Sequence, residues 1–202
     1  MNRELHTPWV AGVLRAARIG IAGLGGLGSN VALLLARAGV GRLIVADYDV
    51  VELGNLNRQQ YTVEDIGRPK AEVIPEIIAR VHPFVSVDSH TLRLTEHNIP
   101  DIFSGCDVIV EAFDDPVSKQ MIIEVVLTDM YPTWIVAASG IAGYGKYEKL
   151  AVNRLERFIL CGDGVSEVKK GVPLLAPRVT IVAATQADAA VEILLDKAGI
   201  EI

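Results

Sequence analysis

Several side chains along this chain have the types and spacing for chemistry on an anion. The glycine run Gly23-Leu-Gly25-Gly26-Leu-Gly28 directly follows the apolar stretch Ile19–Ala22 and holds the G-x-G-x-x-G spacing. In that spacing the first glycine makes a tight turn, the second lets backbone approach a phosphate, and the third lets helix and strand pack closely. The unpaired amides and positive dipole end at a helix start favour an anionic group. Asp47 closes the next apolar stretch about 20 residues later, where an acid can accept a hydrogen bond from a ribose hydroxyl. Beyond it a polar segment offers Asn55 and Arg58, a helix start offers Lys70, and Asp114 and Asp115 end a third apolar stretch. Arginine grips phosphate bidentately and lysine acts as a point charge. A carboxylate beside phosphates suits Mg²⁺, which takes a few protein oxygens along with phosphate and water. The set therefore points to a nucleoside triphosphate with Mg²⁺, and it carries more charge than hydride transfer needs. Asp114 is the expected metal carboxylate. Asp115, directly before Pro116, reads as a helix N-cap, and Glu111 stays open between roles.

The elements that must position these groups follow from periodicity. Strands are expected at the apolar runs Ile19–Ala22, Leu43–Ala46, Val108–Val110 and Trp134–Ala138, and at the alternating stretch Val85–Leu92. Helical patterns fall between them, from about Leu27 to Ala38, Lys70 to Val81, Thr95 to Phe103 and Pro116 to Met130. Such regular alternation predicts an α/β, Rossmann-like fold with a mainly parallel sheet and right-handed crossovers. Ligands of such sheets lie beyond the carboxyl ends of the strands, near the point where strand order reverses. The glycine turn, Asp47, Asp114 and Ser139-Gly140 all fall at such ends. From Ile141 the rhythm changes: Lys149–Leu155 and Phe158–Leu160 read as added antiparallel strands, and a long helix from Ala176 to Ala198 closes the chain.

Composition narrows the function classes. The 202 residues predict one nucleotide-binding domain, with residues 1–17 as an N-terminal arm carrying a short amphipathic helix around Trp9, Val10, Val13 and Leu14. A net charge of −6 without a basic run argues against a nucleic-acid partner. No signal-peptide pattern or bilayer-length apolar stretch is seen, so no membrane partner is expected and the chain reads as cytoplasmic. Two cysteines, Cys106 and Cys161, supply neither a disulfide framework nor a metal knuckle. Cys106 reads as a core thiol, and Cys161 has no adjacent His or Lys to activate it. The final helix is apolar on two sides: Val179, Val182, Ala183, Gln186, Ala190 and Ile193 make one stripe. Ile181, Ala184, Val191 and Leu195 on the other side predict a homodimer contact through this helix or the arm.

The turn Gly-Leu-Gly-Gly-Leu-Gly-Ser, the block Asp47-x-Asp-x-Val-Glu-x-x-Asn55-Leu-Asn-Arg58-Gln and the helix start Gly-x-Pro-Lys70 occur in that order. In these motifs the chain resembles the ubiquitin-activating (ThiF/MoeB) superfamily of carrier-protein adenylyltransferases, from about Arg18 to Leu195. The compact length, Glu111-Ala-Phe-Asp114, Ser139-Gly-Ile-Ala-Gly-Tyr, Cys161-Gly-Asp, Ala176-Pro-Arg-Val179 and Gln186-Ala look most like the short thiamine-biosynthesis (ThiF) branch. The resemblance implies ATP as cosubstrate, with Asp47 on the ribose, Asn55, Arg58 and Lys70 on the phosphates, Asp114 serving Mg²⁺ and catalysis, and Lys119 near the nucleotide. It implies a ThiS-like ubiquitin-like sulfur carrier with a Gly-Gly C-terminus as partner, activated as acyl-AMP, and a dimeric enzyme. Many relatives bind zinc through two Cys-x-x-Cys pairs; this sequence holds none, so no zinc is expected. The relatives' N-terminal Arg-Tyr-x-Arg-Gln segment is also missing, with Arg3 and Arg15 as its possible substitutes. A relative acting on another carrier, a peptide or a tRNA base, or a nicotinamide-dependent oxidoreductase, are the alternatives.

Overall fold

A computed structural model describes residues 8–200. A first helix, α1 (Pro8–Ala16), precedes β1 (Arg18–Ala22), α2 (Gly28–Ala38), β2 (Arg42–Asp47), α3 (Lys70–Val81) and β3 (Ser86–Thr91). Then come a four-residue helix α4 (Ile99–Ile102), β4 (Val108–Glu111), α5 (Pro116–Asp129), β5 (Trp134–Ala138), β6 (Ala151–Leu155), β7 (Phe158–Gly162) and α6 (Ala176–Lys197). The seven strands form one sheet in the order β3-β2-β1-β4-β5-β7-β6. Every neighbouring pair is parallel except β6 with β7. The predicted α/β, Rossmann-like sheet with antiparallel strands near the C-terminus is thus the observed one.

Strands buried on both faces explain the continuous apolar runs. In β2, Leu43 and Val45 face a layer built with Val31 and Leu35 of α2, Ile74 and Ile78 of α3 and Val182 and Ile193 of α6. Ile44 and Ala46 face the other layer, with Phe103, Ile122 and Val126. Chain order reverses between β1 and β4: β2 and β3 extend the sheet one way from β1, and β4 and β5 the other. Loops leaving β1 and β4 therefore diverge and open a crevice at the carboxyl ends.

Two local differences from expectation have clear causes. The helix expected over Thr95–Phe103 shrinks to Ile99–Ile102, because Thr95 and Asn98 satisfy each other's backbone: Thr95 N donates to Asn98 Oδ1 and Asn98 N to Thr95 Oγ1. Strand β7 enters the sheet between β5 and β6, parallel to β5. Apolar Phe158-Ile-Leu-Cys suits that interior place, while β6, with Asn153 and Arg154, takes the exposed edge. Inside α3, Pro75 cannot donate to the carbonyl of Ala71 four residues back. The Ser89 hydroxyl of β3 donates to that carbonyl instead, tying helix to sheet. The α6 stripe from Val179 to Ile193 is buried as expected; on the other side Ile181 is 45% exposed, but Leu195 is buried and α1 packs against α6.

Candidate active site

The glycine turn is set by backbone sterics. Gly23 adopts φ +92°, and a Cβ on Gly28 would stand 1.9 Å from the Gly23 carbonyl oxygen. A Cβ on Gly25 would meet nothing nearer than the Gln59 amide at 3.9 Å. Gly23 and Gly28 thus make the turn, and Gly25 leaves open space above it. Asn30, a buried amide in the first turns of α2, holds the polar loop onto this turn. Its Nδ2 donates to Gly26 O at 2.6 Å and Arg58 O at 3.1 Å, and its Oδ1 accepts from Gln60 Nε2 at 2.6 Å. Tyr61 adds a bond from its hydroxyl to Leu24 O at 2.9 Å.

Asp47 ends β2 beneath the turn. One oxygen accepts from Leu24 N at 2.6 Å and the other from Asp49 N at 2.7 Å. Burial raises its carboxyl above the ordinary range, opposed by the Asp49 amide, the Lys70 charge and the Leu24 amide. Each oxygen keeps a second lone pair for a ligand hydroxyl. Lys70, at the first position of α3, is buried with its ammonium 2.8 Å from Asp49 Oδ2, which leaves two of its three donors. Arg58 lies across Gly26 (a Cβ there would be 3.5 Å from Arg58 Cγ and Cδ), and its guanidinium donates to Gly54 O at 3.0 Å and Asn57 Oδ1 at 2.7 Å. Asn55 accepts from Glu52 N at 3.1 Å in a single 3₁₀ turn.

Across the crevice, Asp114 is exposed, and among the described residues its carboxylate accepts no hydrogen bond. Asp115 caps α5, accepting from Val117 N and Ser118 N at 3.0 Å each. Glu111 is fully buried under the same turn and pairs with Lys119 at 2.9 Å. Burial raises the Glu111 carboxyl, opposed first by the charge and hydrogen bonds of Lys119. Gly23, Gly25, Gly26, Asp47, Asn55, Arg58, Lys70 and Asp114 all line one cleft of about 290 Å³ at the carboxyl ends of the strands. Gly28 supports the turn from behind, and Lys119 does not line the cleft.

The same cleft holds residues to which the sequence assigned no role. Gln59 sets its Nε2 3.9 Å from where a Cβ on Gly25 would stand, and its buried Oε1 has no donor among the described residues. Arg93, after β3, lies over the Tyr48 ring at 5.5 Å. Asn30 had a signal, being an amide inside an Ala/Leu helix; Arg93 had none.

The two cysteines lie away from this chemistry. Both are buried, and burial pushes each thiol up to about 12. Arg15 borders a separate cavity of about 80 Å³ at the amino ends of the strands, and Arg3 lies outside the described residues. No helix among the described residues is long and apolar enough to cross a membrane.

The family model described as the ThiF family matches residues 11–202. The chain belongs to the ThiF family. Among curated members it is similar to the sulfur carrier protein ThiS adenylyltransferase of Escherichia coli (strain K12), 38% identical over 61% of this chain and 49% of that protein. It is also similar to the sulfur carrier protein adenylyltransferase of Thermus thermophilus, 42% identical over 50% of this chain and 38% of that protein. The ThiF-family segment found here spans at most about half the length of such curated relatives. Among solved structures, it superposes on the E. coli tRNA N6-threonylcarbamoyladenosine dehydratase TcdA in complex with AMP. The TM-score is 0.86 and the identity 22%, over 96% of this chain and 93% of that one. The E. coli MccB structure with ATP gives a TM-score of 0.70 at 24% identity, over 92% and 57%. At those identities the likeness is one of fold.

Proposed function

We propose that this chain is an ATP-dependent adenylyltransferase that activates the C-terminal glycine carboxylate of a ThiS-like ubiquitin-like sulfur carrier, in thiamine biosynthesis. The observation that carries the reading is the convergence of an open glycine turn, Asp47, Arg58, Lys70 and Asp114 on one cleft. The space over Gly25 fits a bound ligand beside the turn. The names of the E. coli and Thermus relatives support that substrate class.

The chemistry needs no general base. A terminal carboxylate has a pKa of about 3.5 and is ionised at neutral pH. One of its oxygens attacks the α-phosphorus, a new P–O bond forms, and the bond to pyrophosphate breaks with its electrons leaving on pyrophosphate. The barrier is the approach of two anions, which preorganised cations and amides lower. In this chain the turn amides, Asn55, Arg58 and Lys70 hold the phosphates and take up their charge, and Asp47 holds the ribose. Among the described residues no group of three or more His, Cys, Asp or Glu could hold a metal ion. Mg²⁺ suits such a place, since it is bound through one or two carboxylates together with substrate phosphates. Asp114, open to the cleft, is the carboxylate that would hold it, and the ion would neutralise triphosphate charge. A cytoplasmic homodimer completes the proposal.

The test is ATP–pyrophosphate exchange with purified Gly-Gly-ended carriers, alongside titration with ATP–Mg²⁺ and NADH. Exchange stimulated by a ThiS-like carrier and abolished by Asp114→Asn is expected. Binding of NADH in place of ATP, or full exchange by folded Asp114→Asn, overturns the assignment.

A further inference from the structure

The buried Glu111–Lys119 pair does not line the cleft, yet Glu111 binds the Phe113 amide next to Asp114. Lys119 has three N–H donors and three acceptors within reach: Glu111 Oε1 at 2.9 Å, Glu111 Oε2 at 3.0 Å and Ala138 O at 3.1 Å. None is left for a phosphate unless this set breaks. Glu111 Oε1 also accepts the Phe113 amide at 2.6 Å, and the Glu111 carbonyl accepts Gln186 Nε2 of α6 at 2.9 Å. The pair therefore joins the ends of β4 and β5 to α5 and α6.

The three residues Ala112–Asp114 are held at both ends by these contacts. On one side Glu111 fixes the Phe113 amide, and Ala112 N donates to Ala22 O at 2.9 Å. On the other, Asp115 caps α5. The Ala112 carbonyl presses on the glycine turn, where a Cβ on Gly23 would come within 2.9 Å of its oxygen. Any shift of the Glu111 carboxylate thus moves Asp114 relative to the turn that receives phosphate.

We infer that Lys119 is a positioning residue: through Glu111 it sets where the Asp114 carboxylate stands against the triphosphate and its Mg²⁺, and it does not touch the nucleotide. This rests on the proposed ATP–Mg²⁺ site. Groups that orient a metal-binding carboxylate, when removed, typically cost about 10–100-fold in metal affinity or activity.

The experiment is ATP binding by calorimetry, in EDTA and in excess Mg²⁺, with pyrophosphate exchange and thermal melting run in parallel. Wild type, Lys119→Met, Lys119→Arg, Glu111→Gln and the Glu111→Gln/Lys119→Met double variant are compared. Lys119→Met and Glu111→Gln should each lose most of the Mg²⁺-dependent gain in ATP affinity, by about tenfold or more. Their affinity in EDTA should stay near that of wild type, the double variant should be no worse than either single, and Lys119→Arg should keep the gain. Glu111→Gln carries the same test if Lys119→Met does not fold. An EDTA affinity that falls in Lys119→Met but not in Glu111→Gln would place Lys119 on the nucleotide and overturn the inference. So would lowered melting with the Mg²⁺ gain intact, which is what a purely structural pair would give. Wild type that binds ATP–Mg²⁺ but exchanges pyrophosphate with no carrier overturns the proposed function and leaves this inference standing. Wild type that binds no ATP overturns both.

Discussion

Replacing Asp47 by asparagine keeps the size of the side chain while removing its charge and one of its two acceptors. In the native site those oxygens accept from Leu24 N at 2.6 Å and Asp49 N at 2.7 Å. Leu24 is fully buried, so its N–H has no route to water, whereas the Asp49 side chain is half exposed. The asparagine oxygen should therefore turn to Leu24, leaving two donors opposed at Asp49. A hydrogen bond to a charged group contributes about 1.5–3 kcal/mol and a neutral one about 0.5–1.5 kcal/mol. The Leu24 bond then weakens by about 1 kcal/mol, and solvent recovers part of the Asp49 bond. Burial of the ionised carboxylate, which raises its pKa, no longer opposes folding and offsets some of the loss. The net cost is about 1–2 kcal/mol, or roughly 2–8 °C in Tm for a chain of this size. Asp47→Ala should cost about 1–3 kcal/mol more, because the Leu24 N–H is orphaned. ATP also loses a ribose partner in Asp47→Ala, worth about tenfold to a hundredfold in Kd beyond any effect on tripolyphosphate, which has no ribose. Urea unfolding and calorimetry with the two ligands measure both parts. Wild-type stability of Asp47→Asn would refute the turn-holding role, and equal losses for ATP and tripolyphosphate in Asp47→Ala would refute the ribose role.

The glycines should separate by what surrounds them. Gly25→Ala, with no protein atom nearer than 3.9 Å, should change stability by less than about 1 kcal/mol yet weaken ATP binding in calorimetry, because the methyl fills the phosphate approach. Gly28→Ala, 1.9 Å from the Gly23 oxygen, should lower unfolding stability by about 3 kcal/mol or more and abolish that binding. Asp163 is paired with buried Arg178 at 2.6 Å. Burial raises its carboxyl, but hydrogen bonds from Ser166 and the Val165 and Ser166 amides, with the Arg178 charge, outweigh that and lower it. The unfolded chain then binds the extra proton, so this contribution is complete above the ordinary carboxyl range and is lost as pH falls through the lowered folded value. Asp163→Asn should flatten that acid limb in urea titrations and cost about 3–5 kcal/mol at pH 7 by leaving Arg178 buried without its partner. The Cys106→Ala/Cys161→Ser double variant should still form carrier–AMP by mass spectrometry; a folded double variant that forms none would break the first step of the proposed mechanism.

What the sequence revealed of this fold is what short-range pattern can encode. The glycine spacing, the apolar strands and the Asp-Pro start of α5 are local, and each lies where its pattern placed it. The place of β7 between β5 and β6 was not legible, because strand neighbours are chosen by burial across the sheet and not by chain order. The clamp from Arg178 to Asp163 and Gly145 O, and that from Asn30 to Gly26, Arg58 and Gln60, join groups that no periodicity relates. The contacts of Lys119 were equally hidden: the resemblance implies a place near the nucleotide, and its ammonium bonds Glu111 and Ala138 across two strand ends.

Three acids within five residues show how much of the candidate site is set by burial and not by local pattern. Glu111, Asp114 and Asp115 share charge and chemistry, and the sequence separates only the last, by the helix start that follows it. Burial separates the others. Glu111 is fully buried under the strand ends, so its charge requires a cation, and Lys119 is there at 2.9 Å. Asp115 is spent on two helix amides. Both Asp114 and Asp115 line the cleft that also holds Arg58 and Lys70, but among the described residues only Asp114 is left without a hydrogen bond. A carboxylate without a partner, facing two cations across open space, binds an anion poorly unless a second cation arrives with it. That is the electrostatic reason a triphosphate should enter this cleft as its Mg²⁺ complex. At low ionic strength, metal-free ATP should bind less tightly to wild type than to Asp114→Asn, and adding Mg²⁺ should reverse the order. Calorimetry in EDTA and in Mg²⁺ gives both numbers, and the same order in both buffers would remove Asp114 from the metal.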